Sequence, residues 1–144
     1  MAPHPRVDIS RIAAWARRFD AESTHSGQSV TFHYAGEELS AAPSNTGDYF
    51  YVSIEVPLSQ NKSDLASIRD IIQRLSLRPG APHKTVGYMA ANESVYVTVM
   101  AMHYCAQGIT DHQGNIILRR LGEIVAGERR TIESAWAQHR GGAQ

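Results

Sequence analysis

A single cysteine, Cys105, in 144 residues rules out an intramolecular disulfide and leaves a cysteine-based zinc site without ligands. Net charge is also lacking, because Lys plus Arg and Asp plus Glu are 14 each. A protein that grips nucleic-acid phosphates carries a basic excess or a clustered basic face. The dense basic pairs are Arg17-Arg18, Arg119-Arg120 and Arg129-Arg130, and Glu123, Glu128 and Glu133 sit among the last two. That mixture fits a solvated helix face, so no nucleic-acid partner is expected. No apolar run approaches the roughly 18 residues that span a bilayer, and no signal-like apolar stretch follows Met1-Ala2-Pro3-His4-Pro5-Arg6. A cytoplasmic location without membrane contact is the expectation.

Several arrangements that carry chemistry are missing too. The glycines stand singly or as a terminal pair, without the spacing that lets backbone N–H groups cradle phosphate. The seven histidines (4, 25, 33, 83, 103, 112 and 139) include no i, i+4 pair of the helical zinc type. Asp111-His112 places a carboxylate beside a base, but adjacent loop residues seldom present their side chains to one another. His103 and Cys105 share a strand face, where a half-buried structural pair is the simpler reading than a thiolate nucleophile. Glu37-Glu38 are neighbours that point apart, as turn residues do. No catalytic residue, metal ligand or cofactor is expected, and the chain is not expected to be an enzyme.

What is present is enough apolar residue, 42%, for a core of its own. One domain over 1–144 is expected, with 1–7 and 140–144 as flexible tails. Asp8 caps a predicted helix from Ile9 to about Ala21, with Ile9, Ile12, Ala13, Ala16 and Phe19 at helical spacing. Val30, Phe32 and Tyr34 alternate as a strand does, Ala35 to Glu38 turns the chain, and Leu39 to Ala42 pairs back. The clearest strand has Phe50, Val52, Ile54, Val56 and Leu58 on one face and Tyr49, Tyr51, Ser53 and Glu55 on the other. A second helix, capped by Asn61 or Ser63, carries Leu65, Ile68, Ile71, Ile72 and Leu75 and stops at Pro79-Gly80. Thr85–Ala91 and Ser94–Cys105 form a hairpin, and the last helix runs from Asn115 to about His139. Hairpin-joined strands imply an α+β fold in the order α-β-β-(β)-α-β-β-α, an antiparallel sheet with helices packed on it.

The second hairpin strand is apolar on both faces: Val95, Val97, Val99 and Ala101 on one, Tyr96, Met100, Met102 and Tyr104 on the other. Such a strand is covered on both sides. With three helices available, one cover is expected to be a second subunit. Aromatic and methionine side chains suit that use because they give large, adaptable apolar contact.

In this order the elements resemble the class I type III secretion chaperones, small dimeric escorts of effectors, and equally the YbjN-type sensory-regulator fold. The likeness runs from about Val7 to Trp136. It rests on Tyr49-Phe50-Tyr51-Val52-Ser53-Ile54-Glu55-Val56-Pro57-Leu58 before a helix, a strand with Gly87, the Val95–Val99 strand, and Glu133-Ser134-Ala135-Trp136 near the end. The chaperones are usually acidic, whereas this chain is neutral. The resemblance implies a homodimer that holds a secreted effector segment in extended form. The alternative is a regulator or immunity-type protein that binds a folded partner. It also implies partner-binding grooves at Ile12, Trp15, Phe19, Val30, Phe32 and Tyr34, and a dimer seam at Ile71, Tyr96, Thr98, Met100 and Met102.

Overall fold

The recurrence of apolar side chains decides where helices and strands form. In the computed structural model, which describes residues 4–142, the elements run α1 (Ile9–Arg17), β1 (Thr24–Ser26), β2 (Ser29–Tyr34), β3 (Glu37–Pro43), β4 (Tyr49–Ser59), α2 (Leu65–Ser76), β5 (His83–Met89), β6 (Ser94–Tyr104) and α3 (Asp111–Gly142). The strands make one antiparallel sheet in the order β1-β2-β3-β4-β6-β5, and the helices pack on it. This is the expected α+β architecture with one strand more. No helix among the described residues is long and apolar enough to cross a membrane. Two compact units divide the chain, one holding residues up to Ser53 with Ala101–Ala126, the other Ile54–Met100 with residues from Gly127 on.

In the first unit, Asp8 caps α1 by accepting from the Arg11 backbone N–H at 2.9 Å. Ile12, Ala13, Trp15 and Ala16 are buried, and the Trp15 ring meets Phe50 edge-on at 5.7 Å. α1 ends at Arg17, short of Ala21. The Arg18 N–H tightens the last turn by bonding to Trp15 O, and the Asp20 carboxylate then accepts the His33 backbone N–H at 2.7 Å, tying the chain to β2. Phe19 thereby comes to rest against Phe32 and Tyr34. The additional strand, β1, pairs with β2 through a two-residue Gly27-Gln28 loop in which Gly27 has positive φ. Ala35 and Gly36 both have positive φ in the β2–β3 turn, the geometry that matches strand twist.

α3 starts four residues earlier than expected because Thr110-Asp111-His112-Gln113 is a capping box. Thr110 Oγ1 accepts the Gln113 N–H at 3.1 Å, and Gln113 Oε1 accepts the Thr110 N–H at 2.9 Å. Of the two expected tails, residues 1–3 and 143–144 lie outside the described residues. Residues 140–142 are the last of α3; of 4–7, His4, Pro5 and Arg6 are exposed and Val7 is buried, and the segment is tied down by Pro5 O accepting the Ile109 N–H and by the Arg6–Asp48 ion pair.

In the second unit, Asn61 caps a single 3-10 turn, Lys62–Asp64, that leads into α2. Ile68, Ile71 and Ile72 are the buried stripe of α2. β5 lies two residues earlier than expected, since pairing Met89 with Ser94 leaves a four-residue turn with Glu93 at positive φ. Lys84 on β5 has its ammonium buried, 3.5 Å from Glu128 of α3 and 3.0 Å from Pro82 O; Arg78 also pairs with Glu128.

Candidate functional site

Antiparallel pairing fixes which side chains share a face. On β2, β3 and β4, Phe32, Leu39, Ala41, Phe50 and Val52 point to the helix-covered side and are buried. His103 meets Phe50 on that side, at 6.1 Å between ring centres. The odd-numbered residues of β6, Val95, Val97, Val99 and Ala101, are buried in step with it. The even-numbered residues face the other way and are less buried. Tyr96, Thr98 and Met100 are half-buried, and Met102 and Tyr104 are exposed.

Within the first unit this open face gathers Tyr49, Tyr51 and Ser53 from β4 with Met102 and Tyr104 from β6. Tyr49 and Tyr104 meet edge-to-face with ring centres 5.2 Å apart, a favoured aromatic arrangement. The Cys105 N–H donates to Asp48 O at 2.7 Å and pins that end of the two strands together. Tyr49 is 41% exposed, Met102 51% and Tyr104 58%. Large apolar side chains this open, with no charge among the five positions, form a surface suited to another polypeptide. Within the second unit, Tyr96 lies across Gly87, where an added Cβ would fall 2.5 Å from the ring.

The residues expected to bind a partner separate into two groups. Ile12, Trp15, Val30 and Phe32 are buried within the chain's own core, so a groove built from their side chains is not open to a partner. Only Phe19 and Tyr34 keep partial exposure, and they pack on each other at 5.3 Å. Tyr34 O–H also donates to Glu123 at 2.9 Å, which pushes the phenol pKa up. Of the expected seam, Ile71 is a buried residue of α2. Tyr96, Thr98, Met100 and Met102 all lie on the open side of β6.

The polar pairs weighed for chemistry are committed elsewhere. Asp111 accepts from the Trp15 indole N–H at 3.0 Å and from Arg11 at 2.8 Å, and these two hold its carboxyl below the usual range, the indole bond first. Arg11 was not singled out by spacing or composition, yet its guanidinium also donates to Pro5 O, Arg6 O and Ile109 O. It fastens α1 to the segment before it and to the start of α3. Burial pushes the Cys105 thiol pKa up, away from thiolate character. Burial first and the Arg120 cation second push His103 down, so it stays neutral near pH 7. Among the described residues, no three His, Cys, Asp or Glu side chains converge as metal ligands do.

No protein-family model matches the chain, and no curated protein matches it. Solved structures do. YbjN from E. coli, described as a candidate transcription regulator, superposes with TM-score 0.70 at 11% identity, covering 94% of this chain and 97% of that one. An uncharacterized protein from Methanothermobacter thermautotrophicus gives TM-score 0.61 at 9% identity, covering 92% and 99%. At such identities the fold is what is shared. The YbjN-type likeness read from the sequence holds at that level.

Proposed function

We propose that the chain is a non-catalytic protein-binding module that pairs with a second copy of itself through the open face of its sheet. The observation that carries this reading is the exposed Tyr49–Tyr104 pair beside Met102. An uncharged patch of aromatic and methionine side chains meets its own copy about a two-fold axis without like-charge repulsion. The zero net charge of the chain removes the longer-range repulsion as well.

Two finer roles follow for such a dimer: escort of a secreted effector segment in extended form, as in type III secretion, or regulation through a folded partner. The burial of Ile12, Trp15, Val30 and Phe32 favours the second, because an extended segment needs open grooves to fill. The fold likeness to YbjN supports the same choice. Limited proteolysis of partner complexes separates them: an escort shields a stretch of otherwise digestible chain, whereas a regulator leaves its folded target's pattern unchanged.

Sedimentation equilibrium tests the dimer. Wild type is expected at twice the 15.9 kDa chain mass, and Met102→Glu with Tyr104→Glu at the mass of one chain with an unchanged circular dichroism spectrum. A wild-type chain that stays single at every concentration reached would refute it.

A further inference from the structure

In the second unit, the end of α2 and the last turns of α3 enclose two hollows of about 340 and 470 Å³ that share Leu75, Ala135 and Gln138. The apolar floor comes from Ile71, Leu75 and Ala135, and the rim carries Arg74, Arg130 and His139. No Asp or Glu lines either hollow. Of the acids on neighbouring turns, Glu133 pairs with Arg129 at 2.9 Å and Glu128 pairs with Arg78 and Lys84, while Asp70, one turn before Arg74, is exposed and lines neither hollow. Arg74 bonds only to its own helix, at Asp70 O, and both rim arginines are exposed.

The His139 ring stacks on Trp136 at 5.6 Å and 13°, and the Arg140 guanidinium lies over the same indole. The indole face holds the flexible Arg140 side chain in place.

We propose that this groove binds a short acidic peptide segment of a partner protein, with one large apolar side chain seated on the floor and flanking carboxylates paired to Arg74 and Arg130. Charge complementarity selects the partner. Two guanidiniums with no carboxylate partner among the described residues offer forked donors that match carboxylates, and Arg74, in the last turn of α2, offsets the field of that helix C-terminus. The apolar floor selects a peptide over a nucleic acid or a lipid headgroup, since phosphates would leave Leu75 and Ala135 without a partner. The groove shares no residue with the open-face cluster, so its occupancy does not depend on the dimer.

Selection of a random 12-residue phage-displayed library on the full chain tests this. The expected winners carry Asp or Glu on both sides of Leu, Ile, Phe or Trp. Synthetic copies should lose at least tenfold in affinity for the Arg74→Glu/Arg130→Glu double variant and keep it for Met102→Glu. Both arginines are exposed, so the double variant should keep the wild-type circular dichroism spectrum and melt only slightly below wild type, the small loss coming from a carboxylate in the last turn of α2. The proposal is overturned by no enrichment, by neutral or basic winners, or by acidic winners that bind the double variant equally well. It is also overturned if oligo-dT or phosphatidylserine vesicles, and no peptide, lose binding to that variant.

Discussion

At the scale of single residues, two glycines make opposite predictions from similar distances. A Cβ at Gly114 would fall 2.3 Å from the Trp15 indole, which is fully buried and held by hydrogen bonds from its N–H to Asp111 and from Asn115 to its carbonyl. The indole has nowhere to go. Gly114→Ala should therefore lose about 1–3 kcal/mol through overpacking, more than the about 1 kcal/mol that alanine gains in a helix, as read by urea denaturation. At Gly87 the clash is with the far end of Tyr96, a half-buried ring on the open face that can swing aside. Gly87→Ala should cost visibly less. Neither contact was legible in the sequence, because a glycine's neighbours across space leave no local mark.

His103 sets a pH dependence at the same scale. Its folded pKa lies below the ordinary value of about 6.5, so below that pH the unfolded chain binds a proton that the folded chain refuses. Its contribution to stability is present above pH 6.5 and is lost as the pH falls. Thermal melts from pH 7.5 down to 5.5 should show a falling Tm, and His103→Gln should flatten that slope. An unchanged slope would show that other groups set it.

At the scale of elements, the Lys84–Glu128–Arg78 cluster joins β5, the end of α2 and α3. Removing one member of a buried ion pair strands the other, typically at about 3–5 kcal/mol. Glu128→Ala should approach that cost because it strands the Lys84 ammonium. Lys84→Met should cost much less, since Glu128 keeps Arg78; chemical denaturation of the two variants gives the comparison. A lysine turned inward on an edge strand also discourages edge-to-edge pairing with other chains.

The element boundaries show where sequence reasoning succeeds. β4 and β6 were readable because period-two alternation persists over 11 residues in each. β1 is three exposed residues, Thr24–Ser26, with no apolar alternation, and only the Gly27-Gln28 turn pointed to it. The Thr110–Gln113 capping box is present in the letters, and the predicted helix start at Asn115 missed it. Thr110→Ala should cost about 1 kcal/mol, measurable by thermal melt.

At the scale of the molecule, the helix-covered face and the open face should respond differently to substitution. Phe50→Ala empties a fully buried site and should cost about 3–5 kcal/mol. Tyr104→Ser and Met102→Ser should change the folding stability of a single chain by about 0.5 kcal/mol or less, because their side chains are largely in solvent. The fold class was legible from element order. The partner-binding residues were not, because a residue on an amphipathic face reads the same whether it serves its own core or a groove. Ile12, Trp15, Val30 and Phe32 serve the core.

The proposed pairing depends on the two-sided apolar character of β6, with one side buried and the other bearing the exposed Met102 and Tyr104. Hydroxyl-radical footprinting of Met102, referenced to Leu77 past the end of α2 (79% exposed), reads that exposure directly. Oxidation of Met102 relative to Leu77 should fall as the protein is concentrated from a dilute solution. A ratio that stays constant up to the solubility limit would contradict pairing through this face.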